Sequence, residues 1–216
     1  MRAKFDMELN VLNDKLLEMG GQVESAIENA VKALANKDLN LANEVFTSDD
    51  IINSMEKEIE DMCLRIILRQ HPVASDLRLI SSILKMITDL ERIGDQAQDI
   101  SQITMHLVDK NYIKDLRHIK EMSEIAISMV KESINAFLVK DTQIIKEIIE
   151  KDKRVNDLFY IIRRELIDLI RKDIENSTQA IDFLMIAKYL ERIGDHAKNI
   201  AEWALFSITG VHKENI

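Results

Sequence analysis

Pro72 is the only proline among 216 residues. Proline interrupts helical hydrogen bonding, so a chain with one proline and only five glycines has few places where a helix must stop. Its apolar residues exploit that continuity. Phe5, Leu9, Leu12, Leu16, Met19, Val23, Ile27, Val31 and Leu34 recur in steps of three and four, the spacing of one helix face. This stripe predicts a first helix ending near Asn36-Lys37. Asp38 is placed to cap a second helix, which carries Leu41, Val45, Ile52, Met55, Ile59, Cys63 and Ile66 and stops at His71-Pro72. Ser75 or Asp76 can cap a third that runs to about Asp109. Each of these three would be about 45 Å long at ~1.5 Å per residue.

From Asn111 the pattern starts again. A fourth helix holds Met122, Ala126, Val130, Ile134 and Phe137, and Asp141 opens a fifth that runs to about Asp173. The loop Glu175-Asn176-Ser177-Thr178 leads to a sixth, ending near Thr209-Gly210. Met19 and Met122, Asp38 and Asp141, Asp49 and Asp152, and Asn53 and Asn156 are each 103 positions apart, whereas Leu90-Glu91-Arg92-Ile93-Gly94-Asp95 recurs 100 positions later as Leu190-Glu191-Arg192-Ile193-Gly194-Asp195. The expected fold is all-α, with two tandem homologous three-helix bundles of antiparallel helices, 1–110 and 111–216, and three residues lost in the loop before the last helix. No Gly or Pro linker separates the halves near Asp109 to Tyr112, so they are expected to share a rigid interface.

The repeated motif carries the chemistry. Ile80, Leu84 and Ile87 lead in helical steps to Glu91, and Ala180, Leu184 and Ala187 lead to Glu191. Asp95 and Asp195 follow one turn later, so each carboxylate pair shares a helix face. That face had been apolar, and a carboxylate drawn from water needs a cation, a donor or a metal. Asp99 and Asn199 extend the ladder by another turn. On the second and fifth helices, Leu41 and Val45 run into Asp49 and Asn53, and Ile144 and Ile148 into Asp152 and Asn156. Such oxygen donors suit magnesium, manganese, calcium and iron. His196, standing where the first copy has Gln96, offers an imidazole to one site only.

The same residues admit a plainer reading. Arg92 can reach Asp95 and Arg192 can reach Asp195 as intrahelical ion pairs, each contributing a few tenths of a kcal/mol. The Asp and Asn residues of the second and fifth helices can serve as caps or bends. Gly94 and Gly194 cost about 1 kcal/mol each inside a helix, so something packs or binds closely beside them.

Several function classes lack support. A net charge of -9 with no Lys/Arg block argues against nucleic acid. No run of about 18 apolar residues is present to span a membrane. The N-terminal Met1-Arg2-Ala3-Lys4-Phe5-Asp6 has charge and no apolar signal core, and the single Cys63 excludes an internal disulfide and reads as a small core residue. A cytoplasmic protein is expected. A carboxylate-bridged di-iron enzyme would need Glu-x-x-His pairs, and none occurs; nor does a phosphate loop, a Cys-x-x-Cys pair or a Gly-x-Ser-x-Gly elbow. The readings left are a helical interaction module whose long exposed faces recognise a partner protein, with any metal acting as a strut, a metal-free helical scaffold and, least supported, a carboxylate-bridged metal enzyme.

The duplicated Leu-Glu-Arg-Ile-Gly-Asp, Pro72-Val73-Ala74-Ser75-Asp76-Leu77-Arg78 ahead of its first copy and Asn199-Ile200-Ala201-Glu202 after its second resemble the PhoU family, accessory and regulatory proteins of the phosphate-specific transport system. The resemblance covers nearly the whole chain. It implies a cytoplasmic, non-enzymatic regulator that represses the phosphate-starvation response and restrains phosphate uptake. Its partners would be the sensor histidine kinase of the phosphate regulon, the ATP-binding subunit of the phosphate transporter and a second copy in a homodimer. It further implies metal, as iron or zinc clusters in some members, at Glu91, Asp95, Glu191 and Asp195, with second-helix ligands at Asp49, Asn53, Asp152 and Asn156. Some relatives place Asp where Asn156 stands, and an amide is a neutral ligand.

Overall fold

The structure, a computed structural model, describes residues 2–211. Met1 and residues 212–216, at the two ends of the halves read from the sequence, lie outside the described residues. Six helices follow in order: α1 (Arg2–Asn36), α2 (Leu39–Gln70), α3 (Ser75–Leu107), α4 (Arg117–Val139), α5 (Thr142–Lys172) and α6 (Ser177–Thr209). No strand occurs among the described residues. The all-α expectation holds.

The caps repeat with the sequence. Asp38 accepts a hydrogen bond from the Leu41 amide at 3.0 Å, and Asp141 accepts one from the Gln143 amide at 2.7 Å. Each satisfies an amide that the first turn leaves without a partner. Just before them, Lys37 and Lys140 take the same left-handed conformation, at φ 55° and 56°. The third helix differs from expectation, because Ser75 and Asp76 already lie inside α3 and neither caps it. The position ahead of it is Ala74, at φ 48° with no side-chain cap. The chain leaves α2 at His71, also left-handed, and reverses within 71–74. The anticipated loop at 175–178 is largely helical as well: a 3-10 turn, Ile174–Asn176, leads directly into α6.

The three missing residues do not come from that loop. Both connections, 71–74 and 173–176, are four residues long. Instead α6 starts 14 positions before Glu191 where α3 starts 16 before Glu91, and α5 ends 31 positions after Asp141 where α2 ends 32 after Asp38. The deletion trims helix ends, which fray at little cost.

α1, α3, α4 and α6 form a central layer, flanked by α2 on one side and α5 on the other. The halves meet along two helix pairs, α3 with α6 and α1 with α4. Arg78 donates to the Ser207 carbonyl at 3.2 Å across the first, and Tyr112, in the connection between halves, donates to the Leu34 carbonyl at 2.7 Å. A single cluster of buried apolar side chains runs through both halves. Cys63 lies fully inside it, and burial pushes its thiol up to about 12, so it is the inert core residue expected. No described helix is long and apolar enough to cross a membrane.

Candidate metal centre

In the first half, α2 lies against the motif-bearing face of α3, and Gly94 sets how closely. A Cβ on Gly94 would meet Ile52 Cδ1 at 3.0 Å and Asp49 Oδ1 at 3.2 Å. The glycine is therefore explained by packing, and that packing lays Asp49 against the backbone of the motif. Asp49 is only 6% exposed. Its Oδ2 accepts from Asn53 Nδ2 at 2.9 Å, while its Oδ1 and the Asn53 Oδ1 are buried without any hydrogen-bond partner. Glu91, Asp95 and Asp99 are half-buried on α3. Arg92 places Nη1 3.0 Å from Asp95 and Nε 3.4 Å from Glu91, as the ion-pair reading anticipates, with its guanidinium more than half exposed.

Burial, reinforced by neighbouring negative charge, raises three of these carboxyls. Burial pushes the Asp49 carboxyl above its ordinary range, and the negative charge of Asp95 adds to it. Glu91 is raised by burial, then by Asp95, with Glu56 and Asp49 contributing further. Asp99 is raised by burial too, although a hydrogen bond from Tyr189 works against the shift.

The second half has the same skeleton and different charges. Val155 packs beside Gly194, where a Cβ would meet its Cγ1 at 3.3 Å. Asp152 is 4% exposed, but its Oδ2 lies 2.7 Å from Lys198 Nζ, leaving Oδ1 unpaired. Glu191 is paired with Lys188 one turn earlier on the same helix. Asp195 is exposed as a residue, yet the desolvation it does suffer raises its carboxyl, reinforced by Glu191 and Asp152 and opposed by both lysines. Asn156 is half-buried and Asn199 exposed. The anticipated Arg192 to Asp195 pair does not form; Arg192 lies near enough to Asp99 to act on it across the halves. The Lys188 and Lys198 ammoniums occupy the space around these carboxylates instead.

Asp99 and Asn199 also reach across the α3–α6 interface. Asp99 accepts from Tyr189, and Asn199 donates to Asp89 at 3.3 Å. Because 89 and 189, and 99 and 199, are matching positions of the two copies, these bonds are related by the internal repeat. His196 joins the second of them, with Nδ1 2.8 Å from Asp89 Oδ1.

Among the described residues, no three His, Cys, Asp or Glu side chains converge closely enough to hold a metal ion. Carboxylates without a counter-ion repel one another. The donor chemistry of the first half is nonetheless of the kind a hard cation takes: Asp49 Oδ1 and Asn53 Oδ1 are buried acceptors lacking a donor, and the charges of Asp95 and Glu91 act on the same group of carboxylates. Sequence reasoning missed Lys188, Lys198, Tyr189 and Asp89. The lysines were within reach of it: Lys188 precedes Glu191 by three and Lys198 follows Asp195 by three, where the first copy has Thr88 and Gln98.

The PhoU domain family model matches the chain twice, over residues 16–104 and 119–204. A phosphate-specific transport system accessory protein PhoU homolog from Clostridium acetobutylicum is 37% identical, over 97% of this chain and 96% of its own length. The crystal structure of PhoU from Pseudomonas aeruginosa superimposes with a TM-score of 0.92 at 36% identity, covering 96% of this chain and 100% of that one. The phosphate transport system regulatory protein PhoU from Streptococcus pneumoniae superimposes with a TM-score of 0.88 at 30% identity, over 96% and 98%.

Proposed function

The chain belongs to the PhoU family, and on that premise we propose that it is a cytoplasmic accessory regulator of phosphate transport. It restrains phosphate uptake and phosphate-starvation signalling by contacting the sensor histidine kinase and the ATP-binding subunit of the phosphate transporter. The observation that carries the reading is the extent of the match: both halves fit the family model, and relatives named for the phosphate-specific transport system align over nearly their whole length.

A metal cation held at the Glu-x-x-x-Asp cluster is part of this proposal. The cation would supply positive charge that the protein leaves out. Asp49, with its buried and unpaired Oδ1, Glu91 and Asp95 would hold it, and Asn53 would add a neutral oxygen. Bound between α2 and α3, it would offset carboxylate repulsion and fix the outer helix against the central layer, so that the partners meet a defined surface.

The test is co-purification with the kinase and the transporter ATPase at high phosphate with zinc, iron or manganese supplied, beside a phosphate-starvation reporter in a host deleted for its own regulator. Retention of either partner, together with reporter repression, is expected. A chain that ignores both partners and leaves the reporter derepressed would overturn the regulator reading.

A further inference from the structure

Duplicated sequence does not make the two carboxylate clusters equivalent. We propose that this chain holds its cation in the first half only, and that in the second half the ammonium groups of Lys188 and Lys198 take the cation's place. The inference rests on the metal reading above and refines it.

The second cluster already contains its counter-charge. Lys198 Nζ lies 2.7 Å from the buried Asp152, and Lys188 is paired with Glu191. Asp152, Glu191 and Asp195 thus face two ammoniums. A metal entering there would have to displace Lys198 from a carboxylate that is 4% exposed and would meet the repulsion of both lysines.

The first cluster lacks these groups. Thr88 and Gln98 stand at the matching positions; Thr88 contacts Glu56 at 3.3 Å and Gln98 donates to the Phe46 carbonyl at 2.9 Å, and neither brings positive charge. Glu91 and Asp95 pair with one largely exposed guanidinium, that of Arg92, and among the described residues the only other positive charge acting here is Arg192, which reaches Asp99 from across the halves. The independent sign of a missing ligand is Asp49 itself, more than nine-tenths buried with Oδ1 unpartnered, next to the equally unpartnered Asn53 Oδ1. Asp152 Oδ1 is unpartnered too, but Lys198 neutralises its carboxylate, and Asn156 has no such buried, unpaired oxygen. An unpaired buried anion of this kind calls for a cation that the chain does not supply.

The test uses the full chain, stripped with chelator, reloaded with zinc or manganese in turn and freed of excess, with bound metal measured by plasma mass spectrometry and the metal-induced rise in melting temperature measured in parallel. Asp49→Asn with Glu91→Gln should reduce bound metal to background and abolish the melting shift. Glu191→Gln with Asp195→Asn should leave both unchanged. Lys188→Thr with Lys198→Gln, which gives the second half the first half's residues, should raise bound metal about twofold, since ligand charge sets cation affinity. Retention and gain of metal are results that a misfolded variant cannot mimic. A loss of half the metal or more in the Glu191/Asp195 variant, with the parent loading normally, would overturn the asymmetry while sparing the metal reading. No gain in the lysine variant would overturn the stand-in role. A parent that takes up neither metal would overturn the metal reading, and this inference with it.

Discussion

Asp89 on α3 and His196 on α6 meet through a 2.8 Å contact between Oδ1 and Nδ1, and Asn199 donates to the same oxygen at 3.3 Å. The carboxylate therefore ties the two halves together where the motifs meet, since Asp89 immediately precedes the first motif and His196 immediately follows the second. Asp89→Ala, which leaves both partners unpaired, should lower unfolding stability by about 1–3 kcal/mol. A double-mutant cycle with His196→Ala, followed by urea denaturation, should return a coupling of about 0.5–2 kcal/mol. Simple additivity would deny the contact any role in holding the halves.

The two motif glycines should respond differently to alanine. At either position the helix gains about 1 kcal/mol of propensity. At Gly94 the new methyl meets Ile52 at 3.0 Å and Asp49 at 3.2 Å, whereas at Gly194 its nearest neighbour is Val155 at 3.3 Å. Overpacking costs about 1–3 kcal/mol, so Gly94→Ala should be the more destabilising by about 1 kcal/mol in thermal or chemical denaturation. Equal effects would mean that α2 and α5 sit equally close to the central layer.

Lys140 offers a stabilising change. It holds a left-handed backbone, φ 56°, between Val139 and the cap Asp141, a conformation in which glycine has no steric penalty. Lys140→Gly should raise stability by about 0.5–1 kcal/mol. Lys37 is the poorer target, since its ammonium lies 4.6 Å from the Tyr112 ring centroid.

The raised carboxyls give the metal-free protein a distinctive pH response. Asp49, Glu91 and Asp99 are lifted above the ordinary range, chiefly by burial. Each binds its proton more tightly folded than unfolded, so each favours folding below the ordinary carboxylate pKa of about 4. That contribution is lost as pH rises through the elevated folded value. Glu165 behaves oppositely: although burial raises it, hydrogen bonds from Lys114 and His118 hold it below its usual range. Comparing parent with Asp49→Asn isolates the first effect. The variant should gain on the parent as pH climbs from 4 to 7, by about 1 kcal/mol at the upper end. A constant difference across that range would mean that Asp49 carries no charge penalty in the fold.

Much of the architecture was legible because it depends on local rules. The apolar stripes, Asp38 and Asp141 as caps, and the repeat at 103 positions all read directly into helices and turns. Ala74 was not legible as the position ahead of α3, because nothing in an alanine announces a residue with positive φ. At the site, the motif carboxylates and Asp49 were found, since they interrupt apolar faces. Their counter-charges were not, because a repeat is recognised by what its copies share, whereas Lys188 and Lys198 are positions where they differ. The pairings of Asp99 with Tyr189 and of Asp89 with His196 join residues 90 and 107 positions apart. Only the approach of α3 to α6 creates them.

That approach also sets a schedule for folding. Much of the surface of α3 is buried only when α6 lies against it, and α6 is synthesised after the other five described helices. At about 5–20 residues per second on the ribosome, the ~100 residues between the two helix ends take roughly 5–20 s to appear. During that interval the nascent first half carries an uncovered apolar side. The step most exposed to aggregation is therefore neither the first collapse nor the last, but the wait between them, when a chaperone able to cover one helix face would have the most to protect.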